Sequence, residues 1–294
     1  MLIKRNILLF FRDKANVFFS LLAVIIIIAL YALFLGGVMV DGFAEIPGLS
    51  DSAKSKLEVI ASGIILSGMV AVTAVTASQG ALGVAVADKT GAGKDFLTSP
   101  VKRGKTVFSY IIGSSVCSGI MTFIALTLTL GYILILGGTL PTAPRFGMIA
   151  VSLILSVLCG NAFVYFLTVF INTPSAFTAF STVLGTLIGF IMGIYIPIGQ
   201  LPEGVGWVIK CFPMSHAASM FKIAIISDEL KAAFPDENVL AGIYETFGIT
   251  FTYGSFTSSF WLSAGVLVVF TLIFFGAAVW VDTLKNSKHN SPDK

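Results

Sequence analysis

The stretch 91–94, with the sequence GAGK, is the first place where residue types and their spacing suggest chemistry. Glycines followed by a lysine are typical of loops that bind the phosphates of a nucleotide. The full pattern also needs a glycine five residues before the Gly-Lys pair and a serine or threonine directly after it. Asp88 and Asp95 occupy these two places, and no apolar strand leads into the stretch. Because an acid beside the lysine would repel phosphates, we expect no nucleotide-binding site here.

Charged side chains and histidines are absent from the middles of the long apolar segments. A proton or ion pathway through a membrane needs such groups, and so does an intramembrane hydrolase. The two histidines, His216 and His289, have no catalytic motif around them. The three cysteines, Cys117, Cys159 and Cys211, have neither metal-binding nor disulfide spacing. The sequence therefore predicts no catalytic residue, no metal site and no cofactor in this chain.

The composition is that of a membrane protein. Apolar residues make up 56% of the chain, charged residues only 11%, and the mean hydropathy is +0.96, whereas soluble proteins carry about 25% charged residues. The net charge is +3 and no basic run is present, so nucleic acid is not an expected partner. We predict an all-α membrane protein, surrounded by lipid and folded as a single domain over 1–294.

Six apolar segments are long enough to cross a hydrocarbon core of about 30 Å. Before them, residues 2–17 carry apolar side chains at helical spacing, with Lys4, Arg5 and Arg12 off the apolar stripe or at its edge. This pattern predicts an amphipathic helix on the inner membrane surface, although an extension of the first span is the alternative. The expected elements are spans at about 18–40, 59–78, 106–136, 148–171, 175–196 and 259–281, a charged loop at 88–105, an outer hairpin at 197–226 and a tail at 282–294.

The basic residues indicate the orientation, because lysine and arginine are enriched in cytoplasmic loops. With six spans, the N-terminus, the 88–105 loop and the tail share one side and carry twelve of the 18 basic residues. The other side carries six, three of them in a long final loop whose charges count for less. Both termini are therefore expected to be cytoplasmic.

The fifth span and the segment after it are punctuated by glycine and proline. Gly185, Gly189 and Gly193 are four residues apart and share one helix face, where a second helix can approach closely. That face is either a seam between two subunits or a packing surface within one. Pro197 and the later prolines then interrupt an apolar stretch too short to cross again, which indicates a re-entrant or interfacial hairpin.

This region resembles a known family. The pattern Gly-x-Tyr-x-Pro, followed by Leu-Pro and Phe-Pro, is similar to the fifth span and the extracytoplasmic hairpin of ABC type-2 exporter permeases. The residues concerned are Gly193, Tyr195, Pro197, Leu201, Pro202, Phe212 and Pro213. In the hairpin His216 is a further candidate, either as a gate or headgroup contact or as an ordinary interfacial residue.

The charged loop resembles the coupling helix of the same family. Gly91 and the Ser-Pro pair at 99–100 keep the family's spacing, whereas the acid usually found three residues after the glycine is replaced by Lys94, with Asp95 following. A short helix that exposes apolar side chains to the cytosol would fit a partner's groove; a solvated loop is the alternative. The residues implied in contact with an ATPase are Asp88, Gly91, Asp95, Phe96, Leu97, Ser99 and Pro100.

The resemblance covers nearly the whole chain and implies a half-transporter in a bacterial plasma membrane. Such a permease pairs with a second permease, identical or related, and with two cytosolic ABC ATPase subunits that bind ATP and magnesium. It would export an amphiphilic or hydrophobic substrate, such as a drug, lipid or peptide, through an apolar, Phe-rich cavity. The residues implied in lining the path are Phe177, Phe180, Thr186, Phe190 and Met192.

Two other functions remain open from the sequence. An ion-coupled secondary carrier would move its substrate on an ion gradient alone, which the uncharged spans disfavour. A non-transporting scaffold or immunity protein would work without contacting an ATPase.

The double substitution of Phe96 and Leu97 by aspartate separates these functions. It should abolish ATP-driven transport, because a partner's apolar groove cannot accept two carboxylates without desolvating them. A scaffold activity should survive the same change. Transport and scaffold assays on variants expressed at equal levels in membranes check the expectation, and undiminished transport would contradict it.

Overall fold

The structure, a computed structural model, describes residues 2–30, 33, 40, 56–90 and 103–289. Within these ranges the chain is helical apart from turns and one short β-hairpin, in which β1 (Thr252–Tyr253) pairs antiparallel with β2 (Phe256–Thr257). A single 3₁₀ turn covers Ile198–Gln200. The helices are α1 (Leu2–Arg12), α2 (Lys14–Leu30), α3 (Leu57–Thr90), α4 (Arg103–Ile135), α5 (Ala143–Thr168), α6 (Pro174–Ile191), α7 (Glu203–Cys211), α8 (Pro213–Ala233), α9 (Glu237–Thr246) and α10 (Phe260–His289).

Five of the described helices are long and apolar enough to cross a membrane, namely α3, α4, α5, α6 and α10. The chain is thus an all-α, multi-pass membrane protein. Helix α2 is described over 17 residues, and the expected first span at 18–40 lies partly outside the described residues, so the count of six spans stays a prediction. Helix α1 is a separate helix that packs against α3 and α4.

Two helices differ in length from the expected spans. Helix α3 continues to Thr90, well past the expected end at Ser78, because the small and apolar residues that follow Ser78 include no proline. Helix α6 stops at Ile191, before the expected end at Ile196. The stop follows from Gly193, whose φ of 65° is a left-handed conformation that suits glycine.

Helix α3 is the central element. In its most apolar stretch 94% of the residues are buried, against 17% in α6 and 22% in α10. It packs against α2, α4, α5, α6 and α8, so it is surrounded by protein, whereas α6 contacts the bundle mainly along one side.

Small residues bring the helices around α3 close together. A Cβ atom added at Gly160 of α5 would lie 3.4 Å from the backbone carbonyl of Ala74, so the two backbones are in van der Waals contact. The hydroxyls of α3 do not disturb this packing, because Thr73 and Ser78 each donate a hydrogen bond to the carbonyl four residues earlier. Close packing of this kind stabilises the bundle in lipid, where the burial of apolar surface between helices contributes little.

The chain after α6 forms a helical hairpin of α7 and α8. Pro202 precedes α7 as its N-cap, and Pro213 is the first residue of α8, a position that suits proline because no helical N–H is lost there. Helix α8 is buried along most of its length between α3, α5 and α10. The hairpin is therefore part of the helical body, and its course relative to a membrane stays a prediction.

Ion pairs fix α8 to the starts of α3 and α5. Arg145 pairs with Asp228 through two nitrogen–oxygen contacts, of 2.5 and 3.2 Å. Glu229 accepts a hydrogen bond from Lys56 at 3.0 Å and one from Thr139 at 2.6 Å. These contacts hold the far end of the hairpin in register with the bundle.

The backbone contact at Gly160 generates a testable prediction. Leucine at this position should push α5 away from α3 and lower the free energy of unfolding by about 1–3 kcal/mol relative to leucine at Gly276. Gly276 is the matched control, because a Cβ there meets nothing within 4 Å and the gain in helix propensity is common to both changes. Thermal unfolding in detergent measures the difference, and equal melting temperatures would contradict the role of this contact.

Candidate functional site

A long groove of about 1640 Å³ lies between α2, α3 and α6. One end is lined by Asp13, between α1 and α2, and by Asn16 of α2, and the other by Pro197, Gln200, Lys222 of α8 and Thr246 of α9. The groove therefore follows the helices from one end of the bundle to the other. Its position results from α6, which among the described helices packs mainly on α3.

A row of threonines from α6 forms one wall of the groove. Thr178, Thr182 and Thr186 are four residues apart and all line it. Each hydroxyl donates to the carbonyl four residues earlier, at 3.1, 3.0 and 2.8 Å respectively. Since the hydroxyl protons are used in this way, the oxygens present only lone pairs to the groove. This wall accepts hydrogen bonds and, through the methyl groups, also contacts apolar groups.

Two further polar groups at the groove lack hydrogen-bond partners. The side-chain nitrogen of Gln79 on α3 and the hydroxyl of Ser181 on α6 are buried, and neither has a partner in the part of the chain that is described. A buried polar group without a partner costs about 1–3 kcal/mol. The groove therefore offers polar groups that a ligand or water can satisfy.

The residues expected to line a path fall in different places. Phe177 and Thr186 line the groove. Phe180 is half-buried against the core, and Met192 is buried in it. Phe190 is exposed and contacts the ring of Tyr195 at a centroid distance of 4.8 Å. Phe19 and Phe247 also line the groove, and the threonine spacing in the sequence was the signal for its polar wall.

The three glycines of α6 have separate surroundings. A Cβ at Gly189 would overlap the ring of Tyr195, and one at Gly193 would lie 2.8 Å from Ile198. Gly185 lines the groove, and a Cβ there would meet nothing within 4 Å. Two of the three glycines thus make room for neighbours in the same chain, and Gly185 alone of the three is open.

The hairpin residues surround one end of the groove. Tyr195 and Pro197 line it, whereas Leu201 packs against the buried Ile198 and Phe251. The groove therefore ends where the α6–α7 connection folds back onto the bundle.

His216 is a buried connector between the hairpin and α10. Its Nε2 lies 3.1 Å from the carbonyl of Lys210, to which it donates, and its Nδ1 lies 3.1 Å from the hydroxyl of Ser263, from which it accepts. The hydroxyl of Tyr253 donates to the same Lys210 carbonyl at 2.7 Å. Burial lowers the pKa of His216 to about 4, so the ring is neutral near pH 7. His216 does not line the groove.

Lys222 is the one basic residue among the described residues that line the groove. It belongs to α8, which is not among the candidate spans, and its residue exposure is 2%. Its Nζ donates to the carbonyl of Phe247 at 2.7 Å, at the C-terminus of α9. Burial lowers the pKa of Lys222 to about 7. A cation at a helix C-terminus contributes about 0.3–1 kcal/mol, whereas burying an ammonium costs on the order of several kcal/mol, so the cap alone does not offset the burial.

A second cluster lies at the opposite end of α3. Asp88 accepts hydrogen bonds from both terminal nitrogens of Arg5, at 2.7 and 2.8 Å, and from the hydroxyl of Tyr110 at 2.7 Å. Bidentate pairs of this kind are among the stronger side-chain interactions. The cluster ties α1 to the ends of α3 and α4, and its carboxylate is engaged within the chain.

The remaining residues expected to contact an ATPase lie outside the described residues. They are Gly91, Asp95, Phe96, Leu97, Ser99 and Pro100. Among the residues that are described, no group of histidine, cysteine, aspartate or glutamate side chains could hold a metal ion.

A comparison with protein families gives one match. The model of the family described as ABC-2 family transporter protein matches residues 44–280, which include α3, α6 and the hairpin. The search among curated proteins found no match.

The surroundings of His216 predict how stability depends on pH. Between pH 6.5 and pH 5 the unfolded chain binds a proton at this ring that the folded chain does not, so the free energy of unfolding should fall as the pH falls. The loss over this interval is about 2 kcal/mol. Substitution of His216 by glutamine should remove most of this slope, as measured by thermal unfolding at a series of pH values.

Glu229, at the same end of the bundle, does not obscure the effect. Burial raises its pKa, but the hydrogen bonds from Thr139 and Lys56 outweigh burial and hold the pKa below its usual value. Its carboxylate therefore titrates below the interval. An unchanged slope in the glutamine variant would show that His216 is not the group responsible.

Proposed function

The chain belongs to the ABC-2 family of transporter proteins, and on that premise we propose that it is the permease subunit of an ATP-driven exporter. The observation that carries the proposal is the groove between α2, α3 and α6, which follows the bundle from end to end. A path of this kind suits a substrate that moves along the helices. The family is one of membrane components of ABC transporters, which work together with ATPase subunits.

The surface of α6 supports pairing with a second permease. Val183 and Leu187 are four residues apart on one face of α6, and both are exposed. A helix that contacts its own bundle along one side only can bury its other face against a second subunit. In the proposed half-transporter, two copies or two related chains enclose a shared central cavity from their two grooves.

The cluster of Arg5, Asp88 and Tyr110 supports a route for the driving force. It connects α1 and α4 to the end of α3 that leads into 91–102. In the proposed mechanism, ATP-driven closure of the ATPase subunits pushes on this end of the permease. Because α3 and α6 are walls of the groove, tilting them switches the cavity from inward-facing to outward-facing.

The lining of the groove favours an amphiphilic substrate. Ile64, Ile65 and Phe177 supply apolar surface, and the threonines of α6 supply hydrogen-bond acceptors. A drug, a lipid or a hydrophobic peptide combines both kinds of surface. The basic residues support an orientation with both termini in the cytoplasm and export across a bacterial plasma membrane.

Lys222 favours a second candidate, an ion-coupled carrier. A buried amine at the groove is a group that a proton-coupled mechanism could use. Such a carrier would respond to a proton gradient and not to ATP, so one experiment separates the two functions.

The test is transport of a fluorescent amphiphile in proteoliposomes that contain the permease and its partner ATPase. Transport should depend on ATP, stop with an ATPase variant that cannot hydrolyse it, and persist when an ionophore removes the proton gradient. Transport that is unaffected by removal of ATP would overturn the proposal, and transport that stops with the ionophore would favour the carrier.

Two glycine variants test the groove in the same assay. Tryptophan at Gly185 should obstruct the groove and lower the transport rate about tenfold or more, whereas tryptophan at Gly265 of α10 should leave it unchanged. A Cβ at either glycine would meet nothing within 4 Å, so the two changes are matched in their local packing and neither should prevent folding. Equal transport by the two variants would show that the groove is not the path.

A further inference from the structure

Lys222 differs from the other basic side chains at its end of the bundle. Three of them pair with a carboxylate, namely Lys56 with Glu229, Arg145 with Asp228 and Lys210 with Glu245. Lys222 has no such partner among the described residues, although it is almost completely buried. A buried lysine without a carboxylate partner in the described part of the chain is unusual and points to a group that arrives from outside the chain.

The packing around Lys222 directs it to the groove. Its Cε would lie 3.2 Å from a Cβ at Gly68 of α3, so the glycine leaves room for the lysine stem. The ammonium uses one of its three N–H donors on the carbonyl of Phe247. Ile194, Ile64 and Ile65 line the same groove, so the lysine stands beside an apolar part of the groove wall.

We propose that Lys222 binds the anionic headgroup, a carboxylate or a phosphate, of an amphiphilic ligand whose tail lies in the groove along α3 and α6. This inference rests on the proposed function, because it names the substrate class of the same groove. An anionic headgroup supplies the missing counter-charge and accepts the remaining N–H donors. The apolar side chains and the internally bonded threonines then contact the tail.

A purely structural role for Lys222 predicts a different result from anion binding. If the lysine only caps α9, its replacement by methionine lowers stability and leaves the preference for headgroups unchanged. If it binds an anion, the same replacement removes the preference, and the melting temperature of the ligand-free protein is preserved or raised, since a buried charge is lost.

The experiment is a binding titration by native mass spectrometry of the purified full chain in a non-ionic detergent. The probes are oleate, oleoyl lysophosphatidic acid and the uncharged monoolein, whose tails are the same. Wild-type protein should bind at least one of the two anions about tenfold more tightly than monoolein, which corresponds to one charge-assisted hydrogen bond. The anion that binds more tightly identifies the headgroup as carboxylate or phosphate.

Three variants test the residue. Lys222→Met should lose about tenfold in affinity for the preferred anion and retain its affinity for monoolein, whereas Lys222→Arg should keep the preference. Lys231→Met is the matched control, because Lys231 is an exposed lysine on the same helix, and it should behave as wild type. Equal affinity of wild type and Lys222→Met for the anions would overturn the proposal.

Acetate and inorganic phosphate test whether the headgroup alone suffices. Neither should displace the amphiphile at equal concentration; displacement would assign the site to a free anion and overturn the proposal. No ATPase is present in this measurement, so its outcome is independent of ATP-driven transport. If the headgroup preference is missing while ATP-driven transport is intact, this inference is overturned and the proposed function is unaffected.

Discussion

Close contact between helix backbones is the interaction on which the rest of this structure depends. In lipid, apolar side chains gain little from leaving one hydrocarbon environment for another, so helices associate where small residues let them approach. Helix α3 meets this condition on several sides, as its contact with α5 at Gly160 illustrates. Its burial makes it the central helix around which the other helices are arranged.

The groove lies where these close contacts between helices end. Among the described helices α6 packs mainly on α3, and its threonine row and Gly185 therefore line a long cavity instead of a helix interface. Polar contacts secure the two ends of the bundle. Asp88 fixes α1 at one end, and Glu229 fixes α8 at the other. A displacement at either end of α3 can therefore be transmitted along this helix to the groove.

The elements that the sequence predicts well are those with long apolar runs or proline and glycine boundaries. The apolar runs of α3, α4, α5, α6 and α10 appear as helices, and Pro202 and Pro213 stand at helix starts. The end of α3 was harder to predict, because small residues after Ser78 are compatible with either helix or loop. The groove's polar wall was visible in the spacing of Thr178, Thr182 and Thr186, but hydroxyl side chains with that spacing occur in buried helices as well.

The sequence by itself determined the membrane class and the family resemblance, because hydropathy and the order of elements along the chain depend on local composition. Pro202 and Pro213 stand at the starts of α7 and α8, since proline acts on its own segment. Only the tertiary structure decided which charges are paired. Lys210 and Lys222 belong to the same hairpin, yet Lys210 lies beside Glu245 whereas Lys222 lines the groove. That difference depends on contacts between residues far apart in the chain, which residue types and spacing do not encode.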